Sequence, residues 1–265
     1  MSPPEDRTRL RVTFDRVAEL YDRARPGYPP ALFEDLVELA GLAASSRVLE
    51  IGCGTGQATI PLAERGLDIL CVELGEGLAA VARRNLASFR GVEVIGADFE
   101  DWEPEIASFD AVVAFTAFHW LDPVLRFEKS ARLLAPDGAL GVVGTQHVLP
   151  PGGDDFFVDV QADYNVVAPD PENRPPPPPE EVPDLSGEFA ATGCFGAVAV
   201  RRYVWDVEYS ADDYMDLLDT YSGHRAMEPA TRELLYGRIR RRIEARPGRR
   251  IRKSYLALLH VARRR

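Results

Sequence analysis

The chain reads as an α/β protein: seven strands in a mostly parallel sheet, helices on both faces, an antiparallel last strand and a small cap or insertion. Three observations predict that fold. Short apolar runs, Val48–Ile51, Ile69–Glu73, Val92–Ile95, Phe109–Thr116 and one opening at Ala139, follow the order β, α, β, α, β, β, α, β, the rhythm of a parallel sheet with crossover helices. The first run passes into Gly52-Cys53-Gly54-Thr55-Gly56, where glycine at every second position lets the backbone bend sharply out of a strand. Two further strand-like runs, Val198–Glu208 and Ile251–Val261, flank two helical segments near the end.

Each element has its own signal. Leu32, Phe33, Leu36, Val37, Leu39 and Ala40 recur at helical spacing and predict a helix over 32–40, which Gly41 ends. A helix over 75–88 follows the second strand. Leu133-Leu134-Ala135-Pro136-Asp137-Gly138-Ala139-Leu140 reads as a helix end, a turn and the start of the fifth strand. Asp154–Ala168 reads as one helix running into Pro169, Pro171 and the prolines 175–179, which favour extended polyproline conformation and a stiff surface linker. Asp212–Tyr221 and Pro229–Arg246 are the late helices.

The glycine turn carries most of the functional information. A GxGxxG pyrophosphate loop wants Gly or Ala at position 57, where this chain has Gln57, and no GxxxxGK[ST] is present. Glu50 at the mouth repels pyrophosphate but suits a cofactor that carries an ammonium and a sulfonium, which describes S-adenosylmethionine. Glu73 ends the second strand 21 residues after Gly52, where a doubly wound fold presents a carboxylate to two ribose hydroxyls. Asp98 ends the third strand and is placed to accept from an exocyclic amine, and Phe99 beside it to pack on a purine. Taken singly, Glu73 also fits a helix N-terminal acid, Asp98 a loop acid and Phe99 a core residue.

With VLEIGCGTGQ, CVEL, GADFED, FDAVVAFTAFHWL and RLLAPDGAL in order along residues 8–147, the chain resembles the class I S-adenosylmethionine-dependent methyltransferases. Within them, Tyr21-Asp22-Arg23-Ala24-Arg25-Pro26-Gly27-Tyr28-Pro29 and Phe118-His119-Trp120 are similar to the small-molecule branch typified by trans-aconitate methyltransferases. The resemblance implies a Rossmann-like core, S-adenosyl-L-methionine as cofactor with S-adenosyl-L-homocysteine as product, and methylation of a small organic molecule, with an oxygen, foremost of a carboxylate, as the favoured acceptor atom; an RNA- or protein-directed methyltransferase on the same fold and a non-catalytic S-adenosylmethionine-binding regulatory protein are the alternatives. It implies cofactor contacts from Glu50, Gly52, Cys53, Gly54, Gly56, Glu73, Leu74, Asp98, Phe99 and Thr116. Four parts follow: a lid segment over 1–30, the cofactor-binding core over 31–149, an acidic Pro-rich cap over 150–190, and a C-terminal part over 191–265 completing sheet and acceptor pocket.

The sulfonium is already an activated electrophile, so the protein must hold the acceptor in line, exclude water and take a proton where there is one. Residues beyond the carboxyl ends of the strands matter most for this. His119 is the candidate to orient or deprotonate the acceptor, since an unperturbed imidazole titrates near neutrality; packing against Trp120 is the alternative. Tyr21, Arg23, Arg25 and Tyr28 are candidate grips for a carboxylate, and Trp120, His147 and Tyr221, with Ser222 and His224, are candidate walls of the acceptor pocket.

Composition narrows the remaining classes. The chain has 265 residues, 46% of them apolar, and a formal charge of -11, which argues against nonspecific nucleic-acid binding. Ten acids stand against Arg174 in residues 150–190, and thirteen bases against Glu233 and Glu244 in 232–265, so the two segments are expected to attract. The basic end reads as a solvated helix face followed by an exposed strand, with no RNA-binding signature beside it. Cys53, Cys71 and Cys194 form no CxxC pair, so no metal site is expected. Without a leader or an apolar span of about 18 residues, a cytoplasmic protein is expected; the oligomeric state is not legible.

Overall fold

A computed structural model describes residues 17–104, 108–170 and 173–265. Most of the 1–30 lid expectation therefore lies outside the described residues. The sheet has seven strands, β1 (Arg47–Ile51), β2 (Asp68–Glu73), β3 (Val92–Gly96), β4 (Phe109–Phe115), β5 (Leu134–Val148), β6 (Ala199–Ser210) and β7 (Arg250–Arg263), in the order β3-β2-β1-β4-β5-β7-β6. β3, β2, β1, β4 and β5 pair in parallel, and β7 alone runs against its neighbours β5 and β6. The order reverses between β1 and β4, and both strands end at the same side, so a crevice opens beyond Ile51 and Phe115.

Period-two alternation divides the core. Val48, Ile69, Ala111, Val113 and Val143 pack with the helix Pro30–Ala40 on one face, and Leu49, Ile51, Val112, Leu140 and Val142 pack with Phe127 and Phe189 on the other. A third cluster, built on Phe156, Tyr214, Leu217, Leu235 and Ile239, joins the helices after β5 and β6 to the outer end of β7. These helices cover the sheet next to the crevice.

Several expectations change in detail. The helix Pro30–Ala40 starts on proline and ends at Gly41 with φ 65°, as its sequence requires. A further helix, Ala18–Ala24, precedes it. β5 takes in the turn at 135–138, where Asp137 has φ 64° and the register against β4 shifts between Phe109 and Ala111. The segment 154–168 forms two helices, Phe156–Asp159 and Gln161–Val167. β7 is not exposed: it lies inside the sheet, and all its residues from Lys253 to Ala262 are buried, because the helix Pro30–Ala40 covers Ala257, Leu259 and Val261 on one face while Val182, Phe189 and Phe195 cover Leu256, Leu258 and Ala262 on the other.

The acidic and basic segments do meet. Asp163, buried, accepts from Arg238 Nε at 2.9 Å and Arg242 Nε at 2.7 Å. Asp154 accepts from Arg246 at 2.6 Å and from the Arg252 backbone N–H at 2.8 Å. These arginines hold the insertion onto the helix Pro229–Glu244 and β7. The prolines 175–179 run alongside, fastened by the Leu149 N–H to the Pro177 carbonyl at 2.9 Å and by Arg202 to the Pro179 and Val182 carbonyls at 2.8 Å each.

Candidate active site

The turn after β1 has Gly52, Gly54 and Gly56 at φ 67°, 59° and 91°, a backbone region that L side chains rarely occupy. A Cβ on Gly52 would stand 2.6 Å from Ala117 Cβ, so glycine there also lets the loop after β4 close against the turn. Glu73 sits across from it. Its Oε2 accepts from the Gly54 N–H at 2.8 Å and its Oε1 from the Gly75 N–H at 2.9 Å, which fixes the carboxylate at the crevice. A cavity of about 250 Å³ opens here. Gly52, Gly54, Glu73, Leu74 and Phe99 line it, as do Thr116, His119 and Trp120 from the loop after β4.

A second cavity, of about 390 Å³, lies beside the first and shares Tyr21, Arg25, Thr116 and Tyr221 with it. Thr116 stands at the junction with φ 54°, a left-handed backbone that a β-branched residue adopts only under tertiary constraint. The constraint is visible: its hydroxyl donates to Thr145 Oγ1 at 3.2 Å and lies 3.1 Å from the Tyr28 hydroxyl. Arg25 is fixed by Thr220, through Nε to the hydroxyl at 2.8 Å and through a terminal nitrogen to the carbonyl at 2.9 Å, and its guanidinium lies over the rings of Tyr221 and Tyr21.

Gln57, the residue that spoils a pyrophosphate loop, has a structural task. Its Nε2 donates to the carbonyls of Asp22 and Arg25 at 3.2 and 3.1 Å, so the helix Ala18–Ala24 and its grip residues are tied to the glycine turn. Asn85 adds a second tie, donating to Asp22 Oδ1 at 2.9 Å and to the Thr55 carbonyl at 3.0 Å.

Residues 48–138 match the family model described as a methyltransferase domain. Over these residues the chain carries a methyltransferase domain. An uncharacterized methyltransferase of Mycobacterium tuberculosis is 36% identical over 138 residues, 51% of this chain and 52% of that protein. A malonyl-[acyl-carrier protein] O-methyltransferase of Geobacter sulfurreducens is 33% identical over 164 residues, 60% of this chain and 58% of that protein. The chain thus matches about half the length of these curated relatives. A solved candidate type II methyltransferase of Anaeromyxobacter dehalogenans shares the fold with a TM-score of 0.63 at 24% identity, over 90% of this chain and 97% of that one.

The methyltransferase domain brings Gly52, Gly54, Glu73, Leu74, Phe99 and Thr116 to the first cavity. It does not bring Glu50, Cys53, Gly56 or Asp98 to that wall. Alternation turns Glu50 to the face of Val48, fully buried, where it accepts from the Thr59 hydroxyl at 2.7 Å; burial raises its carboxyl to about 7. Cys53 is buried, Gly56 packs under Leu86, and Asp98 caps its own turn by accepting from the Glu100 N–H at 3.0 Å. Carboxylates offer about four lone-pair positions, so the two N–H bonds at Glu73 are compatible with ribose hydroxyls there, and the residues of the first cavity fit the cofactor.

Among the acceptor candidates, His119 and Trp120 border the first cavity, Tyr28 and His147 the second, and Tyr21, Arg25 and Tyr221 both. His119 packs at a tilt against Trp120, with ring centroids 4.8 Å apart and planes at 41°. Desolvation first and the Arg126 guanidinium second lower its pKa, and although the residue keeps an exposed edge, the ring is a weaker base than an unperturbed imidazole. Arg23 turns outward to Asp216. His224 faces the second cavity and bonds the Tyr164 hydroxyl at 2.9 Å.

Sequence reasoning missed Lys253. It is 3% exposed yet borders the second cavity, with its Nζ 5.2 to 5.7 Å from the ring centres of Tyr255, Phe157 and Tyr221. Burial, with the Arg25 cation near it, brings its ammonium down to about 7. The one available signal was compositional: only Lys129 and Lys253 are lysines among 31 basic residues. Tyr164, Trp205, Tyr214 and Tyr255 were likewise missed as cavity walls, since they come from the insertion and the C-terminal elements.

Proposed function

We propose that the chain transfers a methyl group from S-adenosylmethionine to an oxygen of a small organic molecule held in the second cavity, with a carboxylate-bearing acceptor favoured. The observation that carries this reading is that two cavities share a wall at Tyr21, Arg25, Thr116 and Tyr221. One has the acid and glycines suited to the cofactor, and the other has the aromatic and cationic lining suited to a small planar acid. The O-methyltransferase activity named for the Geobacter sulfurreducens relative is consistent with it.

When bound, the cofactor supplies an electrophilic methyl group. Glu73 would hold its ribose, the turn at Gly52 and Gly54 would receive its amino-acid end, and Leu74 and Phe99 would flank its adenine. The protein's remaining tasks are orientation and water exclusion. Thr116 and Tyr28, linked by their hydroxyls, position the acceptor oxygen at the junction. His119 accepts a proton or a hydrogen bond from a hydroxyl acceptor, and a carboxylate acceptor needs no base.

Incubation with methyl-labelled S-adenosylmethionine and a panel of aromatic and unsaturated carboxylic acids, their amides, phenols, RNA and protein tests this. Label on a small-molecule oxygen is expected. Label on RNA or protein alone, or cofactor binding with no transfer to any of them, contradicts it.

A further inference from the structure

The second cavity holds a buried cation with no counter-ion among the described residues and a ring nitrogen with no hydrogen-bond partner. Lys253 is a buried cation, and among the described residues no carboxylate pairs with it; its neighbours are aromatic rings and the Arg25 guanidinium. Arg25 gives no relief, being of like charge and already engaged by Thr220. His147 lies on the paired strand, where it faces Tyr255 across the ladder. Its ring meets the Phe157 edge with centroids 4.3 Å apart, and its buried Nε2 has no hydrogen-bond partner. A buried cation without a counter-ion and an orphaned ring nitrogen each cost stability unless a ligand completes them.

Chemistry selects the ligand. A cation, a neutral imidazole that can donate from Nε2, and walls of Trp205, Tyr214, Tyr221 and Tyr255 suit a carboxylate on a planar apolar body better than a phosphate, which calls for several donors. The acids of the insertion do not oppose this: none of those described lines the cavity, and Asp154 and Asp163 are turned to their arginines.

Lys253 is also set apart from the point of transfer. It borders only the second cavity, and on β7 it is four residues from Ala257, which pairs with Thr145, the partner of Thr116. Four residues of strand span about 13 Å, enough for a ring between a group at Lys253 and an oxygen at Thr116.

We propose that Lys253 and His147 form a seat for a carboxylate of the methyl acceptor, distal to the methylated oxygen, so that the substrate is a small acid with a planar body. The proposal rests on reading the second cavity as the acceptor site. Lys253 is a binding residue that sets specificity, and His147 completes the seat.

Calorimetric titration of the full chain with 4-hydroxybenzoate, 4-hydroxycinnamate and their amides tests it, with S-adenosylhomocysteine titrated separately. At least one acid is expected to bind roughly tenfold or more tightly than its amide, the worth of one charge-assisted contact. Lys253→Met is expected to abolish that preference, and Lys253→Arg to retain part of it, which separates lost charge from lost folding. His147→Phe is expected to weaken the acids and leave the amides unchanged. Equal binding of acid and amide, a preference that survives Lys253→Met, or no acid binding overturns the seat. Acid preference without S-adenosylhomocysteine binding supports the seat while removing the methyl-transfer reading; the converse removes the seat alone.

Discussion

Gly54 and Glu73 are joined by a 2.8 Å hydrogen bond from the glycine N–H to the carboxylate, so the turn after β1 and the acid at the end of β2 form one rigid unit. A carboxylate held from two sides by backbone N–H groups is pre-organised for a ligand and costs little to order on binding. Replacing Glu73 by Gln keeps the shape and removes the charge. The expected result is cofactor binding weakened by about tenfold to a hundredfold, the worth of one or two charge-assisted hydrogen bonds, together with a lower Tm, because the amide nitrogen cannot accept from one of the two backbone N–H groups that the carboxylate holds. Unchanged affinity by calorimetry would mean that Glu73 holds the loop only.

Gly52→Ala tests the close approach of two loops. The added Cβ meets Ala117 Cβ at 2.6 Å on a backbone with φ 67°, and left-handed backbone alone costs roughly 1–2 kcal/mol for an alanine. A lower Tm with impaired cofactor binding is expected. A variant with wild-type Tm and affinity would contradict the described junction of the turn with the loop after β4.

Lys253 gives a pH signature with a definite sign. Its folded pKa lies near 7, below the ordinary 10.5, so the folded state binds fewer protons than the unfolded state between those values, and stability rises with pH across that window. The destabilisation is complete below pH 7 and gone above about pH 10.5. Arg25, His147, His224, Tyr164, Tyr221 and Tyr255 face the same space, but the histidines titrate lower and the tyrosines higher, and arginine keeps its charge. Lys253→Met is therefore expected to raise Tm at pH 6 without ligand, with the gain shrinking towards pH 10. A Tm difference that does not vary with pH would contradict the buried, unpaired ammonium.

Asp163 reports on the insertion. Burial opposes its charge, yet the bonds from Arg242 and Arg238 hold its carboxyl below the ordinary carboxylate value. A lowered folded pKa adds stability above the unfolded pKa, and that stability is lost as pH falls through the folded one. Because both arginines are about one-third exposed, Asp163→Asn is expected to cost a discounted 1–3 kcal/mol, roughly, at pH 7. Urea unfolding at pH 7 measures it, and a cost below about 0.5 kcal/mol would fall in the range of an ordinary surface substitution and contradict the assigned role.

The centre of the parallel half of the sheet was legible because β1 and β4 are buried on both faces and therefore read as apolar runs, Val48–Ile51 and Ala111–Phe115. Glu73 was legible because a strand end and a glycine turn at fixed separation specify one crevice. Glu50 was misplaced because side-chain direction depends on which strand face meets which helix, and only packing against Thr59 decides that. Lys253, His147 and Tyr164 come from three segments far apart in sequence, so nothing local reveals that they share a cavity. The attraction of the acidic and basic segments was readable as charge, but not the pairing of Asp163 with Arg238 and Arg242.

The most direct test of the central claim is calorimetric titration of the intact chain and of Glu73→Ala with S-adenosylmethionine and S-adenosylhomocysteine, with NAD as the control. The account predicts binding of both sulfur compounds by the intact chain, its loss in Glu73→Ala, and no heat with NAD. No binding of either compound by the intact chain, or binding of NAD alone, would contradict it.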